Sequence, residues 1–457
     1  MSHTQSLDDL ARGLAQRLGN DRVFRQGDGP YADATTLWNG AVTVRPALVV
    51  RPRSDAEVAT AVTAAQQSGV GLSVRGGGHD WAGRSLCDGG LVIDLEAMRE
   101  VSIVDGTAVA GGGSRAGDLV AAAAPHRMNV ATGTAGVVGM AGLTLGGGYG
   151  PLLGTAGLAA DNLLGARVVL ADGQVVSTDD DPELLWALRG GGGNFGVVTS
   201  MRIRLHPDRG LTGGMVLFPW AEAATVLAGC TELFAGAPDG LGLLFEMTVV
   251  PEVGPCLLAV PVWSGEPHRA DAALEEALRL GTPVMSTVAP TTLKDLLAQF
   301  DQSVPHGMHW DLRTRTIPAL TPDIIDVLTD AAEARPGPGA GIGLRRFHGA
   351  ATRVGADDTA FGLRTAHMVV EISAGRGPHD PAGAYRDWAD ALSTALTPYA
   401  LPGGYPNFLA PGQDEQIAHA YGTHAPRLVA AKQTYDPQGV FTATPIPNHK
   451  LLQTYPA

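Results

Sequence analysis

The sequence predicts an α+β protein built in two parts, with a C-terminal tail that returns to the first part. Three observations carry this reading. Four glycine clusters are confined to the first half of the chain, strand and helix patterns alternate along it, and the character changes at His206-Pro207. At 457 residues the chain exceeds what one hydrophobic core normally fills. Hydrophobic residues at 45% against 17% charged supply ample core material. We therefore place a first domain at residues 1–207, a second α+β domain at 208–400 and the returning segment at 401–457.

The elements of the first domain can be read in order. Ala47–Val50 is a strand, followed by a helix whose capping box is Ser54 with Glu57. Val58, Ala61, Val62 and Ala65 recur at helical spacing, and Gly69 stands where a C′ glycine belongs. The strand Val70–Val74 runs into Arg75-Gly76-Gly77-Gly78-His79. Gly90–Leu95 and Thr107–Ala110 are further strands, the second ending at Gly111-Gly112-Gly113, with Ser114 capping a helix to Ala124. Small residues run from Gly133 to Leu145, and the third cluster, Gly146–Gly150, follows. Asp181 caps a Pro182-started helix to Arg189, and Gly190–Gly193 leads through Gly196 into the strand Val197–Leu205.

Beyond Pro207 the glycine clusters thin out. Strands are expected at Leu243–Val250, Leu257–Val262, Leu344–His348 and His367–Ser373. Helices are expected at Ala221–Phe234, at His268–Leu280 and from a Thr321 cap to Ala334. This pattern describes an antiparallel sheet covered by helices.

Charge and cysteines bound the partners. A net charge of −14 with no basic stripe argues against nucleic acid or an anionic membrane surface as partner. Cys87, Cys230 and Cys256 show neither metal-ligand nor disulfide spacing, so no metal site is expected and a reducing compartment fits. The segment 1–21 is polar, and no stretch reaches ~18 apolar residues. The expectation is a cytoplasmic protein. Nothing in the sequence sets an oligomeric state.

Successive backbone N–H groups in glycine-rich turns can cradle phosphates without a lysine. None of the four clusters matches a dinucleotide GxGxxG or a GxxxxGK[ST] loop. A single cluster is most simply a tight turn; four within ~120 residues point to a pyrophosphate carrying a large ring system. His79 ends the first cluster. A loop histidine is commonly a structural hydrogen-bonder, yet a neutral imidazole beside a cofactor turn is also a competent nucleophile.

The string from Ser73 through Arg75-Gly76-Gly77-Gly78-His79 to Gly83, followed by Gly90-Leu-Val-Ile-Asp94, closely resembles the PCMH-type FAD-binding domain. Gly142–Gly150, Gly157–Asn162, Trp186–Val198 and the tail element Lys432–Pro437 with Phe441 are further blocks of that pattern, in the same order. The domain belongs to the vanillyl-alcohol-oxidase superfamily, and the berberine-bridge-enzyme-like oxidases are the nearest branch. The resemblance implies an FAD domain, a substrate domain whose antiparallel sheet roofs the flavin, and a tail closing over it. It implies FAD bound through Arg75, Gly76, Gly77, Gly78, His79, Gly83, Gly133, Thr134, Gly139, Gly142, Gly146, Gly148, Gly196, Val198, Tyr405 and Asn407. His79 would carry the flavin covalently. Many relatives add a cysteinyl link in a G-x-C-x-x-V-G block, but Ala135 stands at that position, so a single link is expected. Gly439 and Thr444 replace asparagines common in the family's tail.

Hydride transfer to a flavin usually needs a base for the departing proton. Strand alternation puts His367, Val369, Glu371 and Ser373 on one face. In Leu344–His348 it puts Arg346 and His348 opposite Arg345 and Phe347. Such polar faces line either a pocket or solvent. Tyr149, Tyr405 and Glu371 are the catalytic candidates. The expected function is an oxidase that takes a hydride from a small molecule and passes the electrons to O2. Aromatic residues total only 5%, which favours a secondary metabolite over an oligosaccharide. A dehydrogenase using another acceptor, a sugar oxidase and a non-catalytic FAD module are the alternatives.

Overall fold

The computed structural model describes residues 3–303 and 305–455. Three sheets organise them. The first has four strands, in the order Val23–Phe24, Leu48–Val50, Leu91–Asp94, Leu72–Arg75, and the last three run parallel. These short strands are buried almost throughout, as parallel strands covered on both faces are. The helix Asp55–Gln67 packs on this sheet through the predicted stripe of Val58, Ala61, Val62 and Ala65, all 0% exposed. Ser54 caps it by accepting from Glu57 N at 3.3 Å. The Glu57 carboxylate does not complete the box, because it is held by Arg53 N at 2.7 Å and Arg22 Nη1 at 2.9 Å. Gly69 follows the helix at φ +63°, where glycine has no Cβ to clash.

The second sheet is antiparallel, in the order Val101–Val104, Thr107–Gly111, Val197–Pro207, Leu163–Val169, Val175–Ser177. Against it lies the helix Ala116–Ala123. Its cap is Arg115, whose N–H donates to Asp118 Oδ2 at 2.8 Å, one residue later than the expected Ser114. The Ser114 hydroxyl is instead buried. Both of these sheets are drawn from residues 23–207.

The third sheet has nine strands from residues 211–376. Its central antiparallel strands are Gly254–Trp263, Leu241–Val250, Ala340–Phe347, His367–Arg376 and His309–Ile317. The helices Ala223–Gly236, Pro322–Glu333 and Ala382–Ala395 cover one face, sealing Phe218, Phe245, Leu344, Ile372 and Trp388 in a common core. The other face turns toward the first two sheets. Register there brings Glu246, Gly343, Glu371 and Thr314 into one row across four strands.

The tail packs back on the first part through a buried polar knot. Lys432 Nζ donates to Asn194 O, Asp436 Oδ2 and Phe441 O, at 2.6–2.7 Å. Asn194 in turn donates to Thr444 O at 2.8 Å. Among the described residues no helix is long and apolar enough to cross a membrane.

Candidate functional site

A cavity of ≈ 360 Å³ opens where the three sheets and the tail meet. The strand Leu72–Arg75 delivers Gly76, Gly77, Gly78 and His79 to its wall. Facing them is the segment carrying Gly133, Thr134, Ala135, Gly139 and Gly142. These two loops touch backbone to backbone: a Cβ at Gly77 would lie 2.2 Å from Gly139 N, and one at Gly139 would lie 2.3 Å from Gly77 N. Only paired glycines permit that approach. Gly112, Gly196 and Val198 add a third side, and Phe441–Thr444 of the tail a fourth.

His79 sits in this wall with its ring stacked on Trp38 (centroids 5.3 Å, 18° between planes) and met edge-on by His306 at 5.6 Å. Its Nε2 is buried and has no hydrogen-bond partner. Burial, with the nearby His306 and Arg115, lowers its pKa to about 4, so the imidazole is neutral at pH 7. A buried, unpaired, neutral imidazole on a glycine-lined wall fits a cofactor that presses against it.

Four of the expected cofactor residues lie off the wall. Arg75 is spent on Asp94, with Nη1 2.8 Å from Oδ1 of a carboxylate that also binds Arg51, so it anchors the base of the first loop. Gly83 turns at φ +79° against Val42. Gly146 makes room for Asn407, whose Oδ1 would lie 2.1 Å from a Cβ there. Gly148 at φ +86° donates its N–H to Tyr405 Oη at 3.0 Å. Of the third glycine cluster, only Tyr149 reaches the wall.

The roof is the third sheet. Val369 and Glu371 of His367–Arg376 and Arg345 of Ala340–Phe347 face the cavity. Arg345 Nε donates to Glu371 Oε2 at 2.8 Å. Next to them, Glu246 is pushed up to about 8, first by burial and then by the Glu371 charge, so it is mainly a neutral acid at pH 7. The polar face of this strand pair therefore lines a pocket and not solvent. Sequence alternation had placed Arg345 opposite Arg346 and His348 but could not say which face was inside. Trp38 and Leu312 also line the wall and carry no sequence signal, being apolar residues distant in the chain, while Phe408 arrives beside Asn407.

Two tyrosines meet beneath the roof with ring centroids 4.7 Å apart. Tyr405 Oη accepts from Gly148 N and from Asn407 Nδ2, both at 3.0 Å. Burial raises its pKa, while those two donors and Arg345 pull it back down. Tyr149 is raised well above its usual value by burial and by Tyr405, with no such donors. Its hydroxyl lies 3.4 Å from His367 Nε2, and His367 Nδ1 is 2.7 Å from Thr365 O. A carbonyl can only accept, so Nδ1 carries the proton and Nε2 accepts from Tyr149.

The FAD binding domain family matches residues 46–179. FAD-linked oxidoreductase aurO of Gibberella zeae is 32% identical over 438 residues, 94% of this chain and 86% of that protein. (R)-6-hydroxynicotine oxidase of Paenarthrobacter nicotinovorans is 41% identical over 213 residues, 45% of this chain and 46% of that protein. Among solved structures, 6-hydroxy-D-nicotine oxidase from Arthrobacter nicotinovorans superposes with a TM-score of 0.84 at 28% identity, covering 93% of this chain and 97% of its own.

Proposed function

The chain belongs to the FAD-linked oxidoreductases of the vanillyl-alcohol-oxidase superfamily, in the berberine-bridge-enzyme-like branch, and from that premise we propose that it is an oxidase carrying its flavin on His79 alone. The observation that carries the proposal is His79 itself, neutral and unpaired on the wall of the glycine-lined cavity. Ala135, 8% exposed on the same wall, offers no thiol for a second link. Gly76–Gly78 and the Gly133–Gly142 segment would hold the cofactor through backbone N–H groups, and Tyr405 and Asn407 would border it. Bound FAD supplies the hydride acceptor and passes the electrons on, in this reading to O2.

The protein's own part is to place the substrate and move its proton. Tyr405 is suited to receive the proton, since Gly148 N–H, Asn407 and Arg345 all favour negative charge on its oxygen. The Glu371–Arg345 pair fixes the guanidinium near that oxygen. Tyr149, its proton engaged by His367, offers lone pairs to a substrate O–H or N–H. The apolar fraction of the wall suits a secondary metabolite, as an alcohol, an amine or a ring C–H. The test is acid precipitation: yellow colour should stay with the denatured wild-type polypeptide and leave it in His79→Ala. Complete release of flavin from wild type would end the covalent reading.

A further inference from the structure

Arg345 stands where two cavities meet. The second, of ≈ 60 Å³, adjoins the first and shares Thr134, Tyr149 and Arg345 with it. On its interior strand of the roof, Arg345 lies directly opposite Leu244 on one side and Val369 on the other. Leu244 lines the second cavity and Val369 the first, so the side chain between them straddles the junction. Its Nε is engaged by Glu371 Oε2 at 2.8 Å. Nη1 and Nη2 have no hydrogen-bond partner among the described residues, yet both keep accessible surface, and the side chain is 20% exposed. Strands flank Arg345 on both sides, so that surface opens into the cavities. Arg346, which also borders the second cavity, is used differently. Its Nη2 donates to Phe234 O at 2.9 Å, its guanidinium covers the Phe234 ring at 4.6 Å, and its Nη1 is buried. Tyr149 has its proton engaged by His367 and turns only lone pairs to the junction.

Two coplanar N–H groups suit a carboxylate or a carbonyl oxygen. Charge decides between them. Glu371 already matches the guanidinium. Across Gly343 from Glu371 lies Glu246, whose carboxyl oxygens rest so closely over Gly341 and Gly343 that Cβ atoms there would fall 2.4 and 2.8 Å from them. This carboxyl is held mainly protonated at pH 7, pushed up to about 8 by burial and by the Glu371 charge. A roof that keeps its own second carboxyl neutral resists a ligand carboxylate for the same reason. We propose that the outer nitrogens of Arg345 hold a neutral carbonyl oxygen of the substrate, so that a ketone, quinone, lactone or amide is recognised and a carboxylate is refused. The inference rests on the oxidoreductase reading above and narrows its substrate class. Such a bond is charge-assisted, yet it brings no further charge into the cavity. Leu244 and Val369 give the carbon framework on either side of the carbonyl an apolar surface to lie on.

The experiment titrates three phenyl compounds of similar size into the flavin-loaded protein: acetophenone, benzoate, and α-methylstyrene, in which a methylene replaces the carbonyl oxygen. Wild type should bind acetophenone at least about tenfold more tightly than benzoate. With acetophenone isotope-labelled at its carbonyl carbon, the infrared C=O stretch of the bound ligand should lie below its value in an apolar solvent. Replacing Arg345→Met together with Glu371→Met removes both charges at once and strands neither. In that variant the stretch should return toward the apolar-solvent value, and affinity for acetophenone relative to α-methylstyrene should fall about tenfold. Tighter binding of benzoate than of acetophenone by wild type overturns the proposal. So does an absence of acetophenone binding at roughly millimolar concentration, or a carbonyl stretch that is the same in wild type and variant. The wild-type comparison needs no variant to fold. Flavin content is read from the visible spectrum of the same samples. Colourless protein would overturn the oxidoreductase reading while leaving a carbonyl shift standing, so the two failures are distinguishable.

Discussion

His367 makes a sharp test of the site's electrostatics. It is 3% exposed, stacks on Phe347 with centroids 4.4 Å apart, and its pKa is lowered to about 4, chiefly by burial. In the unfolded chain the same imidazole titrates near 6.5. Between those values the unfolded state binds a proton that the native state refuses, so stability rises with pH across that window. The native state is undisturbed at pH 7 and pays increasingly as pH falls toward about 4. At pH 4.5 the penalty is roughly 2.5 kcal/mol, from ~1.36 kcal/mol per unit over about two units. That is a large share of a typical stability of about 5–15 kcal/mol. His367→Phe keeps a ring on Phe347 but strands the Tyr149 hydroxyl and the Thr365 carbonyl, costing about 1–3 kcal/mol at pH 7. The variant should therefore be less stable than wild type at pH 7, and the gap should close or reverse at pH 4.5. Urea unfolding at the two pH values measures this. Parallel losses in wild type and variant on acidification would refute the reasoning, because His367 would then titrate alike in both states.

Three further outcomes are expected. Gly77→Ala, with its Cβ 2.2 Å from Gly139 N, should yield folded but colourless protein, read from flavin absorbance beside a melting curve. Tyr405→Phe should slow flavin reduction by ~10²–10⁴-fold. Because burial raises the Tyr405 pKa, its basic form is scarce at pH 7, and the wild-type reduction rate should climb toward alkaline pH, a dependence the variant lacks. Gly133→Val should slow reoxidation by O2 more than reduction, since its Cβ lies 2.5 Å from Leu143 Cδ1 and crowds the wall. Stopped-flow mixing of anaerobically reduced enzyme with aerated buffer decides it, and an unchanged reoxidation rate removes Gly133 from any oxygen path.

What could be read from the sequence follows from how local each signal is. The helix Asp55–Gln67, its Ser54 cap and its buried stripe depend on neighbours within four residues, and all were visible. The loop Gly76–His79 was visible because glycine has few reasons to repeat. The sequence says less where a position's contacts depend on distant chain. The family resemblance implies a cofactor role for Arg75, but its partner Asp94 lies on the adjoining parallel strand and binds it. Gly146 and Gly148 belong to a cluster that looks like a phosphate turn; their work is to admit Asn407 and to hold the Tyr405 oxygen, over 250 residues away. Alternation alone cannot rank Arg345 above Arg346, since strand period gives two faces and tertiary packing chooses between them. Gly136, within the same small-residue run as Gly133, packs toward Asp301 and Gly117.

The charges around the main cavity bear on the proposal that glycine backbone carries the binding. On its wall Arg84 is matched by Asp80, with Nε 2.9 Å from Oδ1, and Arg345 by Glu371 at 2.8 Å. Arg75, the cation closest to the first loop in sequence, is neutralised by Asp94 behind it. With His79 neutral, the described residues of the wall offer a pyrophosphate no unpaired side-chain cation, in a protein whose net charge is −14. Attraction must then come from backbone N–H dipoles held in fixed directions, which act at short range and demand close approach. Close approach is what paired glycines permit and any side chain forbids, as the contact between Gly77 and Gly139 makes plain. The same neutrality would suit the tether proposed at His79: where no salt bridge retains a dianionic cofactor, a covalent bond from an uncharged imidazole would do so without placing another charge beside the ring.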